Sequence, residues 1–406
     1  VPELGKALLE RGNYNEIYFT QKPPTPAAND QFGICSAITP GGNRFCAATN
    51  MIAGGTQSMY VFTNVKNPEL EQAIGISTGD RFYDTVMDRD GSRIFIMSPS
   101  YLSNQGRMLI YKRTGTVWSS ETSFSKGQTV PAAGDFFARA FTVDASGAHL
   151  IVQLLHATAG NRLEYWSRSG TTWSYSGLIP APAGATSSFP IGISISGDGN
   201  WLYACDPDFD SNSGRMHLYQ RSGSSWALVD SAAIPDYDVG GTIIPYNIGY
   251  YAGGNTSHRY CRTNYLGDTC TAQGNYDIDS IGGINPWLYT FRREGSSLVF
   301  TQKLYVRGLT GDLQFILMSM TDNGLVLIGR STDSGGSFLL FRRNSVLEGW
   351  GLSAVFNNKS DEPFLSSMDC TLSGTGQFII AGESGSNITA SLAGHVEIWE
   401  YYPQGD

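Results

Sequence analysis

Apolar residues along this chain fall in short runs, each bounded by Gly, Asn, Asp or Ser, with no sustained 3.6-residue periodicity. That pattern predicts short strands joined by turns rather than amphipathic helices. One unit recurs: an apolar run, a tight glycine turn, a second apolar run, a polar loop, an alternating aromatic strand, then Arg-x-Gly-x-x-Trp. Clear copies are DRDGSRIFIMSPSYLSNQGRMLIYKRTGTVW (88–118), DASGAHLIVQLLHATAGNRLEYWSRSGTTW (144–173) and SGDGNWLYACDPDFDSNSGRMHLYQRSGSSW (196–226). Weaker copies lie at 321–344 and 372–402. The first-turn glycines are expected at Gly42, Gly91, Gly147, Gly199, Gly254, Gly324 and Gly376, with the fifth unit lengthened by an insertion.

A period of about 50 residues with frequent turn signals fits four-stranded sheet blades. The predicted fold is therefore all-β, a seven-bladed β-propeller of antiparallel blades. Expected blade boundaries are about 30–78, 79–133, 134–186, 187–239, 240–310, 311–361 and 362–403. The last unit ends on its third strand, HVEIWEYY (395–402), while NEIYFTQKP (15–23) matches the fourth strand of unit five, SLVFTQKLY (297–305). A strand from segment 15–29 is thus expected to complete the last blade and remove two open sheet edges. Residues 1–14 are read as a tether or short helix through GKALLERG, ahead of a propeller occupying 15–406.

Composition narrows the function. Forty-eight glycines in 406 residues match many tight turns, and a net charge of −9 offers no basic field for a phosphate backbone, so nucleic acid is not an expected partner. No run approaches the roughly 18 apolar residues of a spanning helix, so a membrane-embedded chain is not expected. The first residues carry no basic and apolar leader, and a start at Val1 points to processing upstream.

The units resemble FG-GAP-type repeats, the propeller family of integrin α-chain heads and many bacterial and phage surface proteins. The matching residues are the openings Gly79-Asp80-Arg81-Phe82 and Gly134-Asp135-Phe136-Phe137, the turns Asp90-Gly91 and Asp198-Gly199, and the loop from Asp206 to Tyr219. The resemblance implies adhesion or ligand binding more often than catalysis. The Arg168–Trp173 turn and its copies also look like the Asp-box of sialidase-type propellers without its aspartate, so Trp118, Trp173, Trp226 and Trp350 are read as structural wedges.

The first turn stays short in every unit, whereas the loop between strands two and three varies, and the longest is assigned to unit five at 262–283. Variable loops on a rigid scaffold are where binding residues concentrate. Tyr250, Tyr251, Tyr260, Tyr265 and Tyr276, in or beside that insertion, are the candidate ligand-binding residues; a loop merely covering the channel mouth is the alternative. Asp206, Asp208, Asp210 and Asn212 place oxygens at alternate positions, compatible with Ca²⁺ or with an Asx-type polar turn. Ser211 and His217 stand where an EF-type loop has Gly and Glu. No cofactor is required by any of these features. Cys261 and Cys270 bracket a polar loop and are expected as a local disulfide or a close thiol pair; the other four cysteines read as buried hydrophobes.

The five histidines show no paired spacing. Asp84, Asp88, Asp135, Glu362 and Asp369 are the carboxylates a propeller channel could bring together for glycoside hydrolysis, though most are expected as solvated turn residues. Sequons stand at Asn255, Asn358 and Asn387. The favoured function is a non-enzymatic propeller on an extracellular or virion surface that binds a cell-surface glycan or protein receptor, in its favoured form a virion- or tail-associated host-attachment protein. A bacterial secreted adhesin or lectin, a sialidase-like glycan hydrolase or lyase, and a structural component contacting neighbouring virion subunits are the alternatives.

Overall fold

The computed structural model describes residues 19–21, 31–49, 57–76, 83–127, 135–156, 160–186, 189–209, 214–234, 237–239, 242–244, 261–279, 283–305, 315–331, 337–357, 368–383 and 394–400. They form seven four-stranded antiparallel sheets and one two-stranded hairpin. The short N-terminal strand is β1 (Phe19–Gln21). Blade one is β2 (Ser36–Ile38), β3 (Arg44–Ala48), β4 (Gln57–Thr63) and β5 (Glu69–Ile76); blade two is β6 (Asp84–Met87), β7 (Arg93–Ser98), β8 (Arg107–Thr114) and β9 (Val117–Phe124). Blade three is β10 (Phe137–Val143), β11 (His149–His156), β12 (Gly160–Ser169) and β13 (Thr172–Ile179). Blade four is β14 (Ile193–Ile195), β15 (Trp201–Asp206), β16 (Arg215–Ser222) and β17 (Ser225–Ala233), followed by the hairpin β18 (Tyr237–Val239) and β19 (Thr242–Ile244). Blade five is β20 (Cys261–Thr263), β21 (Thr269–Asp279), β22 (Gly283–Glu294) and β23 (Ser297–Tyr305). Blade six is β24 (Phe315–Met320), β25 (Val326–Ser331), β26 (Ser337–Arg342) and β27 (Gly351–Asn357); blade seven is β28 (Met368–Leu372), β29 (Phe378–Glu383) and β30 (His395–Glu400), closed by β1.

The predicted closure is present: Phe19 pairs with Ile398 and Gln21 with Val396. Within the expected segment 15–29 the described strand is only Phe19–Gln21, and residues 1–14 lie outside the described residues.

Burial explains why the second strands read as unbroken apolar runs. β7 is buried along its whole length, whereas the outermost β5 alternates towards solvent. Inner strands are covered on both faces by neighbouring blades, so both side-chain sets must be apolar. The core is accordingly a series of sheet-on-sheet clusters, such as Ile94, Ile96 and Trp118 against Cys46, Met59 and Val61 between blades two and one.

The tryptophan turns stitch blade to blade. Gln72 of β5 donates its Nε2 to the Trp118 carbonyl (2.9 Å) and accepts the Trp118 N–H (2.7 Å). Gln302 repeats that pairing with Trp350. The indole N–H of Trp118 reaches Glu71 (2.9 Å), and that of Trp173 reaches Glu121 (3.2 Å), each on the preceding blade. Buried Trp118, Trp226 and Trp350 are structural wedges, and half-buried Trp173 is held the same way.

Candidate functional site

The two ends of the ring are built differently. At one end lie the turns between first and second strands. Each is closed by a short polar side chain that accepts the backbone N–H five residues on: Thr39 from Arg44, Asp88 from Arg93, Asp144 from His149, Ser196 from Trp201, Asn264 from Thr269, Thr321 from Val326 and Ser373 from Phe378, at 2.8 to 3.3 Å. Three residues after each cap stands a glycine with positive φ, namely Gly42, Gly91, Gly147, Gly199, Gly267, Gly324 and Gly376. Other residues enter that conformation only with strain.

The same turns are tied to one another around the ring. Backbone hydrogen bonds run from Arg89 to Ala145, Ala145 to Gly197, Asp198 to Tyr265, Tyr265 to Asp322, Asp322 to Gly374 and Thr375 to Pro40, joining blade two round to blade one. An arginine at the end of strand three clamps two turns of its blade. Arg293 donates Nε to the Gly267 carbonyl (2.8 Å) and Nη1 to that of Gly295 (2.9 Å), and Arg221 treats Gly199 and Gly223 alike.

First strands from all seven blades line a central cavity of about 230 Å³. Its first-turn mouth is bridged by Arg89, whose Nη1 meets Asp322 Oδ2 at 2.9 Å and whose guanidinium lies 4.7 Å from the Tyr265 ring centre. Burial raises the Asp322 carboxyl above its ordinary range while Arg89 pulls it down. Deeper in, side chains satisfy the unpaired inner edge of the next blade: Thr142 Oγ1 accepts the Ile195 N–H (3.1 Å), Ser194 Oγ accepts that of Thr263 (3.1 Å), and Arg262 Nε donates to the Met318 carbonyl (2.8 Å).

The first turns are all five residues long, while the strand-three-to-four turns beside them run from two residues (115–116) to eight (343–350); the widest variation in length sits at the other end. There β11 and β12 are joined across 157–159 and β21 and β22 across 280–282, whereas β29 and β30 are joined across 384–394. The blade connections arrive at the same end, and the longest, from Ile234 to Tyr260, carries β18 and β19.

This places the predicted residues as follows. Segment 262–283 is not a loop between strands two and three. It holds the rest of β20, the first turn of blade five, all of β21 and the start of β22. The first-turn glycine of that blade is Gly267 rather than Gly254. Tyr265, half-buried, therefore belongs to the first-turn end, stacked against Arg89. Tyr276 sits on β21 opposite Asn285, towards the other end, so the structure separates these two tyrosines. Tyr250, Tyr251 and Tyr260 fall in the connection from Ile234 to Tyr260, outside the described residues. The sequence did carry a signal for the correct register. Every true turn glycine follows a Ser, Thr, Asp or Asn by three residues; Gly267 follows Asn264, whereas Gly254 follows Tyr251.

Cys261 and Cys270 lie on neighbouring strands as buried free thiols with sulfurs 3.2 Å apart, the close thiol pair, one of the two expected forms. Their placement is diagonal across the strand pair, with Cys261 opposite Ala272 and Cys270 opposite Thr263. Of the candidate calcium residues, Asp206 is buried and pins the connection before blade four, accepting the Thr186 N–H (3.0 Å) and hydroxyl (2.5 Å). Asp208 is half-buried in the turn after β15, and Asp210 and Asn212 lie outside the described residues. Among the described residues no group of three or more His, Cys, Asp or Glu side chains is arranged to hold a metal ion.

The expectation that the channel carboxylates are solvated is corrected. Asp84, Asp88, Asp135 and Asp369 are all buried, because each serves the backbone or a buried cation. Asp88 closes its turn, Asp369 accepts the Ser36 N–H (2.6 Å) and Asp135 pairs with Lys126. Glu362 and the three sequon asparagines lie outside the described residues.

No protein-family model matches the sequence, and no curated protein matches it. Solved structures do match the fold. The β-propeller domain of Myceliophteria thermophila Cps50 (Swd1) is 9% identical with a TM-score of 0.59, over 95% of this chain and 100% of that one. Kuenenia stuttgartiensis hydrazine synthase is 9% identical with a TM-score of 0.59, over 94% of this chain and 99% of that one. At such identity the likeness concerns fold alone, and the chain is a seven-bladed β-propeller of four-stranded antiparallel sheets.

Proposed function

We propose that this chain is a non-enzymatic recognition propeller that binds a surface glycan or receptor protein through the end of the ring carrying the loops between strands two and three and the blade connections. The observation behind this reading is the asymmetry of the two ends. One carries seven first turns of equal length, capped alike and laced by backbone bonds; the other holds the widest variation in length, with its longest departure from Ile234 to Tyr260. Rigid scaffolds commonly present their binding residues on such loops. Tyr250, Tyr251 and Tyr260 in that connection supply amphipathic rings suited to sugar or protein surfaces. Kinship with FG-GAP-type repeats and a place on an extracellular or virion surface, as a host-attachment protein, belong to the same proposal. The pairing of Arg89 with Asp322 and Tyr265 favours binding over catalysis, since it occupies the charged groups at one channel mouth with each other.

The test is a glycan-array and whole-cell binding screen of the intact protein beside a variant in which 235–260 is replaced by a Gly/Ser linker of about eight residues. Loss of binding with an unchanged unfolding transition is expected. Binding that survives the replacement refutes the assignment of the face, and turnover of a polysaccharide by the purified protein refutes the non-enzymatic reading.

A further inference from the structure

Where blade two hands over to blade three, an ammonium and a carboxylate are sealed together. Lys126 Nζ lies 2.6 Å from Asp135 Oδ2, with side-chain exposures of 4% and 1%. A third charged group stands beside them. Glu164, itself buried, accepts the N–H of Gly127, the residue after Lys126, at 2.9 Å and the Trp166 indole N–H at 3.1 Å. Burial raises its carboxyl above the ordinary range, against the pull of those hydrogen bonds and the Lys126 charge. The surroundings are aromatic: Phe124 stacks on Trp166 with ring centres 4.0 Å apart, and Phe137 meets both edge-on. Separate ions are costly in such a place.

We propose that Lys126 and Asp135 condense into an intramolecular isopeptide bond, with Glu164 as the neighbouring carboxylate that carries the proton. The 2.6 Å contact brings Nζ to the edge of the near-attack range of about 3–3.5 Å from Asp135 Cγ, the carbon bonded to the contacted oxygen. Transfer of one proton from the Lys126 ammonium to the Asp135 carboxylate gives the neutral amine and neutral acid that the condensation needs. The Nζ lone pair then attacks Cγ. Glu164 takes a proton from the nitrogen and returns it to the departing hydroxyl, so one C–N bond forms, one C–O bond breaks and one water leaves. No oxidation state changes and no co-reactant is needed. The product is an amide that ties β9 to the start of β10 and replaces a buried ion pair with a neutral link.

The experiment is intact-mass measurement of the purified, folded full chain under denaturing conditions, followed by tryptic mapping. The protein is expected to be lighter than its sequence by one water, and the loss to map to a peptide spanning Thr114–Arg139 left uncut at Lys126. Lys126→Arg and Asp135→Ala are expected to regain the full mass, and Glu164→Gln to regain it while keeping both partners. A wild-type mass equal to that of the sequence overturns the proposal, whether or not the variants fold. So does a water loss that maps to a succinimide at any aspartate, or cleavage after Lys126 in the native peptide.

Discussion

Alanine at Gly267 and at Gly295 separates two costs that usually come together. Both glycines lie in turns of blade five with nearly the same left-handed geometry, φ +64° and +66°. Any L-residue there costs about 1–2 kcal/mol. Their surroundings differ. A Cβ on Gly267 would stand 2.9 Å from Ser196 Cβ and 3.0 Å from Trp201 Cβ, both on blade four, whereas nothing lies within 4 Å of one on Gly295. Trp201 cannot easily withdraw, since the Arg293 guanidinium covers its ring at 4.1 Å. Overpacking of this kind adds about 1–3 kcal/mol. Gly295→Ala is therefore expected to lose about 1–2 kcal/mol and Gly267→Ala about 2–5 kcal/mol. Urea unfolding followed by tryptophan fluorescence measures both, with the slope unchanged and only the midpoint moving. Equal midpoint shifts would refute the wedging of this turn between blades four and five, and with it the assignment of Gly267 as the turn glycine.

Two further outcomes follow from other parts of the ring. His217 is buried beside Phe189 and Phe209 with Nδ1 on Ser231, and burial, helped by the Arg215 charge, lowers its pKa from 6.5 to about 4. The unfolded chain thus binds the extra proton first, so stability is full above pH 6.5 and falls as pH drops towards 4. The fall is of order 3 kcal/mol and is absent in His217→Gln, as acid titration of the urea midpoint will show; a parallel decline in both proteins would count against it. Removal of residues 1–21 leaves the edge of β30 unpaired and is expected to produce concentration-dependent association in light scattering; a monomer of unchanged stability would mean that β1 contributes nothing to closure.

Architecture was legible because it repeats. Seven glycine turns, Arg-x-Gly-x-x-Trp closings and the spare strand at the N-terminus each recur or pair within one chain, so fold and closure could be read without an alignment. Blade five shows where that legibility ends. The Ile234–Tyr260 connection inserts a glycine-rich stretch, Ala252-Gly253-Gly254-Asn255, that imitates a turn, and glycine alone does not distinguish a turn from an insertion. The cap at Asn264 does, because the turn needs an acceptor for the N–H of Thr269. The channel mouth was illegible for a different reason. Arg89, Tyr265 and Asp322 belong to three blades and meet only when the ring closes, while Lys126, Asp135 and Glu164 meet only when blades two and three pack. No local pattern announces either group.

The antiparallel pairing of β1 with β30 fixes how the ring is held. Phe19 lies opposite Ile398, and Glu400 opposite Phe378 at the exit of a first turn. The chain therefore enters and leaves the propeller side by side, at the outer edge of blade seven and on the first-turn end. A tag, anchor or neighbouring domain joined to either end pulls on that single corner and leaves the variable end turned away from the point of attachment. Tension applied through either terminus therefore enters the ring at its first-turn end.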